Sequence, residues 1–344
     1  MEIPYNIICE IGHGAHGKVY LAEGTNGRVA LKVCRKPEDS NRCENWEREL
    51  RGWLLLKNMP PHPGIVRIYD VGYSHSENIF WVAMELADSE DGHSIENGAT
   101  YRPKTLASLV SAELALPISQ CLNIAEDLAL ALVHLQRNHL LHRDIKPGNI
   151  LICKGKPVLA DAGLVVDVRE VASLVGTAGY VPPENHTTIQ GDIYSLGCTL
   201  WKICTGRSPE EAGMAPYVEA DTADPDFGAF LSIVDKAMSR VPSRRYRSAK
   251  ALHKALKSLI ASRSRRRIRK LLFRIFGSIA IVTLFIVVLI WSRGFNHESG
   301  GGGLNSEDNQ EASPKAESAE VSPSLPNLQI GIKDFKMVER TKKD

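Results

Sequence analysis

The sequence predicts an α+β fold of two lobes, a small β-rich lobe leading into a larger helical one, followed by a transmembrane helix. Three observations carry that prediction. Short β-rich stretches separated by turn residues fill the first part of the chain; a helical period sets in at Pro117; and an apolar run without a charge covers residues 275–292, directly behind a basic cluster.

The β-rich stretches are Tyr5–Ile11, Gly17–Ala22, Arg28–Cys34, Ile65–Val71 and Ile79–Leu86, and Asn26-Gly27 between two of them is a hairpin signal. From Pro117, a residue suited to a first helical turn, the apolar positions Ile118, Cys121, Leu122, Ala125, Leu128, Ala129, Leu132 and Leu135 follow helical spacing. Between Ala87 and Lys104 the chain is polar and rich in turn formers, which predicts a long surface loop joining the lobes. Residues 263–274 hold seven Arg and Lys side chains. The eighteen apolar residues after them would span about 27 Å as a helix, close to the hydrocarbon thickness. The basic cluster on the N-terminal side places the folded part in the cytoplasm and offers contacts to anionic headgroups. Beyond residue 292 the glycine run and the Ser-, Glu- and Pro-rich sequence predict a low-complexity extracytoplasmic tail. The expected boundaries are 5–258 for the folded domain, 259–274 for the juxtamembrane segment, 275–292 for the single membrane pass and 293–344 for the tail.

Composition narrows the function. Across 344 residues, 43% are hydrophobic and 24% charged, enough to bury a core. A net charge of +2 speaks against a general nucleic-acid binder. The seven cysteines are scattered, without CxxC spacing, and suit a reducing compartment.

The chemistry is concentrated in four strings. Gly12-His13-Gly14-Ala15-His16-Gly17-Lys18-Val19 is a glycine loop flanked by strand-like residues on both sides, as in a hairpin closing over phosphates. It nearly fits a Walker pattern, but Val19 stands where the metal-binding Ser or Thr would be. In Val29-Ala30-Leu31-Lys32 an apolar strand carries one lysine shortly after the loop, placed to meet the α- and β-phosphates. A carboxylate on the following helix would fix that lysine. Glu49 fits better than Glu47, because four residues on from Glu49 is apolar Trp53, whereas four on from Glu47 is Arg51. In His142-Arg143-Asp144-Ile145-Lys146-Pro147-Gly148-Asn149, Asp144 can orient an acceptor hydroxyl and take its proton, Lys146 can reach a transferring phosphate, and Asn149 can ligate a metal. Asp161-Ala162-Gly163 follows an apolar strand and supplies the main magnesium carboxylate.

With these strings in order, the sequence resembles the protein kinase superfamily, in particular the eukaryotic-like Ser/Thr kinases of bacteria, over about residues 5–258. GTAGYVPPE from Gly176 and GDIYSLGCTLW from Gly191 extend the match. The resemblance implies a two-lobed protein kinase fold that uses ATP and Mg2+, with Mn2+ as an alternative, and phosphorylates Ser and Thr of proteins, itself included through a homodimer. It implies that Ile11, Gly12, Gly14 and Gly17 cover the nucleotide and that Val19, Ala30 and Leu151 sandwich the adenine. Met84 would lie at the back of the pocket, with Glu85 and Leu86 as the hinge. Lys32, Asp144, Lys146 and Asn149 would be catalytic, Asn149 and Asp161 metal ligands. Glu184 would pair with Arg245, and Asp192 would support the backbone of the catalytic loop. Lys146 with Thr177 looks like Ser/Thr specificity.

Two departures stand out. Ala162 replaces the usual Phe, and Trp53 is expected to fill the space, stacking with His142 and Ile68. The segment from Leu164 to Val175 offers Ser173 as its one hydroxyl, so a loop phosphate would fall on Ser173 or Thr177. The alternative to an active kinase is a pseudokinase scaffold that binds nucleotide or partners without turnover.

Overall fold

A computed structural model describes residues 3–14, 17–25, 27–92, 101–110, 115–169, 176–184, 188–212 and 224–295. The backbone divides into two units, Met1–Gly277 and Ser278–Asp344.

In the first unit, β1 (Asn6–Gly14), β2 (Gly17–Gly24), β3 (Gly27–Arg35), β4 (Ile68–Ser74) and β5 (Ile79–Met84) form one antiparallel sheet in the order β1-β2-β3-β5-β4. The alternation of β3 is what a half-covered sheet requires. Ala30 and Cys34 point into the main core, while Val29 and Leu31 belong to a second small cluster with Trp81 on the opposite face. Helix α1 (Ser40–Asn58) packs on the main-core face through Trp46, Trp53 and Leu56.

The larger lobe is built on α3 (Ile118–Arg137), preceded by the one-turn α2 (Leu106–Leu109). Pro117 is the N-cap of α3 rather than its first helical residue. Leu128 and Leu132 are fully buried along its apolar stripe, each worth about 2 kcal/mol of burial. That stripe makes α3 apolar enough to resemble a membrane span, yet it is core. Helices α4 (Ile189–Thr205) and α5 (Pro225–Ala237) complete the lobe, with two short pairs, β6 (Leu140–Leu141) with β9 (Val166–Asp167) and β7 (Ile150–Cys153) with β8 (Lys156–Leu159).

Helix α6 (Ala249–Phe295) buries Ala249, Leu252, Leu256 and Leu259 at helical spacing against the lobe. It continues without a break past positions 258 and 274. Arg263 reaches Asp224 at 3.2 Å and Asp226 at 3.0 Å, and Arg266 also pairs with Asp226. In the second unit the helix exposes Ile279, Val282, Leu284, Phe285 and Val287, so it is apolar on every face. Within Ala249–Leu289 the helix is long and apolar enough to cross a membrane.

Between β5 and α2 the described residues of the expected loop form neither helix nor strand, but they are more ordered than a polar stretch suggests. Its ends pair with each other: Ser89 bridges Pro103, Glu90 N–H donates to Arg102 O at 2.9 Å, and Lys104 N–H donates to Asp88 O at 2.7 Å. A polar composition hid backbone pairing, because hydrogen bonds between main chains leave no mark in side-chain type. Residues 93–100 lie outside the described residues.

Candidate active site

A cleft of about 540 Å³ opens between the two lobes, a size within the range of small-molecule and cofactor sites. Its N-lobe wall starts from β3. Strand alternation turns Lys32 to the face shared with Ala30 and Cys34, and α1 brings Glu49 to it. The Lys32 ammonium lies 2.5 Å from Glu49 Oε1, 3.4 Å from Asp161 Oδ1 and 5.4 Å from the centre of the Trp53 ring. Burial works against the charged lysine, but Asp161 and then Glu49 outweigh it, and the pKa stands above its ordinary value. Glu49 Oε1 also accepts from Trp53 Nε1 at 3.5 Å. Glu47 pairs instead with Lys36 at 3.6 Å on the surface.

The C-lobe wall centres on Asp144. Thr177 Oγ1 donates to Asp144 Oδ1 at 2.8 Å; on the other oxygen, Lys146 Nζ lies at 2.9 Å and Asn149 Nδ2 donates at 2.6 Å. Lys146 Nζ also donates to Thr177 Oγ1 at 2.5 Å. The Asn149 amide nitrogen is further held by the Asp144 carbonyl at 2.9 Å, which leaves the amide oxygen for a ligand. The supporting loop is fixed from below: Asp192 Oδ2 accepts from His142 N and Oδ1 from Arg143 N, each at 2.8 Å. Arg143 has φ +71° and Asp161 φ +61°, left-handed backbone that non-glycine residues adopt at a cost of about 1–3 kcal/mol. Farther out, Arg245 holds Glu184 with two bonds of 2.7 Å.

Asp161 ends the strand-to-turn segment after β8. Burial alone would raise its carboxyl, but Lys32 and the Gly163 N–H hold its pKa below the ordinary value. An ionised carboxylate beside a free amide oxygen is a donor set that suits Mg2+, which takes one or two protein ligands and completes its shell from phosphates and water. No cluster of three His, Cys, Asp or Glu occurs among the described residues, so any metal here would depend on such sharing.

Of the residues expected from sequence, Ile11, Gly12, Gly14, Val19, Ala30, Lys32, Glu49, Met84, Glu85, Asp144, Lys146, Asn149, Leu151 and Asp161 line this one cleft. Gly17 and Leu86 are not among its walls. A side chain at Gly17 would meet Val33 O at 2.5 Å and Cys34 Sγ at 2.6 Å, so this glycine serves the close packing of β2 on β3. Leu86 packs against the main core instead. Ser173 and His16 lie outside the described residues, as does the side chain of Ala162. Sequence reasoning missed Ala87, Tyr101, Pro103 and Thr105, which also line the cleft. Tyr101 and Pro103 were detectable as the apolar break in an otherwise polar stretch, and Thr105 as the start of a capping box with Ser108.

Comparison with known proteins gives the same picture. The protein kinase domain family matches residues 5–270. Serine/threonine-protein kinase PrkC of Bacillus subtilis (strain 168) is 29% identical over 279 residues, covering 74% of this chain and 40% of that protein. Serine/threonine-protein kinase PknB of Mycobacterium leprae (strain TN) is 28% identical over 270 residues, with 70% and 40% covered. The chain therefore spans about 40% of the length of these relatives. The crystal structure of the Mycobacterium tuberculosis PknI kinase domain superposes with a TM-score of 0.53 at 23% identity, covering 74% of this chain and 96% of that one, a likeness of fold. With the family matched across most of its length and two lobes enclosing the cleft, this chain belongs to the protein kinase family.

Proposed function

We propose that this chain is a Ser/Thr protein kinase that transfers the γ-phosphoryl group of ATP to Ser and Thr hydroxyls of proteins, itself included. A single helix over residues 275–292 would hold it in the cell membrane, with residues 5–258 as the catalytic domain. The basic juxtamembrane segment 259–274 argues for a cytoplasmic kinase and an extracytoplasmic tail at 293–344. The observation that carries the reading is the fixed Asp144 carboxylate, held by Thr177, Lys146 and Asn149 across the cleft from the Lys32–Glu49 pair.

In this reading Asp144 orients the acceptor hydroxyl and takes its proton as the new P–O bond forms and ADP leaves. Lys146 offers its charge to the phosphoryl oxygens, and Lys32 binds the remaining phosphates with its geometry set by Glu49. Ile11, Gly12 and Gly14 would close over the nucleotide, while Val19, Ala30 and Leu151 take the adenine between them and Met84 stands behind it. Asp161 and Asn149 would hold Mg2+, or Mn2+ in its place, and the ion supplies neutralisation of the phosphate charge. The Thr177 hydroxyl between Lys146 and Asp144 supports Ser/Thr over Tyr as acceptor. Two copies would meet on the membrane for autophosphorylation.

The test is label transfer by the full chain in detergent micelles, with γ-labelled ATP, Mg2+ and a generic basic protein. The reading expects label on Ser and Thr of both proteins. Absence of label, or label on Tyr alone, contradicts it.

A further inference from the structure

The segment after β5 has a feature that a surface loop does not need. Tyr101 is 7% exposed, yet its ring belongs to neither hydrophobic cluster of the described residues; it lines the cleft together with Pro103 and Thr105. Its hydroxyl donates to Ala87 O at 2.8 Å, so the side chain is closed down on the strand-to-loop turn that follows Met84. The backbone carrying it is held on both sides. Toward the first half of the loop it has the Ser89–Pro103 bridge and the Lys104-to-Asp88 bond. Toward the larger lobe, Ile152 N–H donates to Lys104 O at 2.9 Å, Asp88 N–H donates to Ile152 O at 2.7 Å, and Thr105 bridges Leu151. The Asp88 carboxylate accepts from Lys154 N and Gly155 N at 2.8 Å each, tying the same unit to the β7–β8 turn.

A rigidly mounted aromatic ring that lines a ligand cleft and joins neither core cluster of the described residues has a binding use: it loses little rotamer freedom on contact and offers a large flat face. We propose that Tyr101 is a specificity-determining residue of the nucleotide cleft, its ring forming an added wall beside Ala87 and Leu151 at the base and ribose end. The proposal rests on the cleft being the ATP site. The wall favours a nucleoside triphosphate without bulk on its ribose, and the hydroxyl's bond to the Ala87 carbonyl holds the ring in that place.

The experiment measures binding of MgATP and of trinitrophenyl-ATP, which carries its bulk on the ribose, to the full chain in detergent micelles. Tyr101→Ala is expected to weaken MgATP binding about tenfold, the loss of one aromatic contact, and to weaken the bulky analogue less, so the preference for ATP falls. Tyr101→Phe keeps the ring and should recover most of the lost affinity. If Tyr101→Ala does not fold, Tyr101→Leu carries the same expectation. Wild-type affinity for both nucleotides in the variant, or an equal loss for both, overturns the wall. A wild-type chain that binds neither nucleotide overturns this proposal and the kinase reading together. One that binds both as expected but transfers no phosphate overturns the kinase reading alone.

Discussion

Lys32 keeps its charge in a place where burial opposes it, and two carboxylates supply the reason. Glu49 is 2% exposed, so removing the lysine alone would strand a buried anion. Lys32→Met should therefore cost about 3 kcal/mol of stability in chemical denaturation and abolish transfer. Adding Glu49→Leu should restore the stability and leave transfer absent; a double variant as unstable as the single one would refute the pairing argument. The choice of Glu49 over Glu47 was legible because helical spacing ties Glu49 to an apolar neighbour, and Trp53 does lie against it. At Gly17 the structure shows a packing role that the glycine-loop pattern did not announce. Glycine permits close approach to a ligand and close approach between strands alike, and sequence does not say which backbone comes near. Tyr101 stands out in the sequence as an apolar break in a polar stretch, but nothing local shows that it faces the cleft.

At the scale of elements, the strands and α3 were legible because each shows its own period, whereas α6 joins two kinds of helix in one. Its first turns follow an amphipathic pattern, and its last ones are apolar on every face. What sequence could not show is that two of the seven basic residues in 263–274 turn toward α5. Asp224 caps α5 by accepting from Asp226 N at 2.9 Å, and both carboxylates are met by Arg263. Such pairing is a contact between distant segments and has no local signature. Asp226 is 4% exposed, so Asp226→Ala leaves Arg263 with Asp224 alone and frees Arg266 to solvent, and should lower stability by about 1–2 kcal/mol. Denaturant unfolding of the full chain in micelles measures it. A change within error would show that α6 is held by its apolar face alone.

For the whole molecule, order of motifs carried more than any single one. A glycine loop, a strand lysine or an Asp-Gly turn taken singly suits many unrelated folds. Their succession along the chain fits one two-lobed plan, and the cleft gathers them. The cysteines show the same coherence. Cys34, Cys121, Cys153, Cys198 and Cys204 are buried, while Cys9 and Cys43 are half-exposed. Burial pushes the Cys153 and Cys198 thiols up to about 12, so raising the pH to 8 leaves them protonated as well as covered. A thiol-titrating disulfide reagent at pH 8 should therefore modify Cys9 and Cys43 in the folded chain, and all seven thiols only after denaturation. Rapid reaction of a third thiol in the native chain would contradict the packing described.

In the proposed reading, Asp144 is the group that takes the acceptor's proton, and that role is the one to test. Asp144→Asn keeps the shape and an oxygen for Thr177 while removing the base, so its effect isolates that role. The initial rate of labelled phosphate transfer to a basic acceptor, compared between the wild-type and Asp144→Asn full chains at equal nucleotide occupancy, is the measurement to make. A fall of about a hundredfold or more is predicted. A variant that transfers phosphate at the wild-type rate would contradict that role for Asp144.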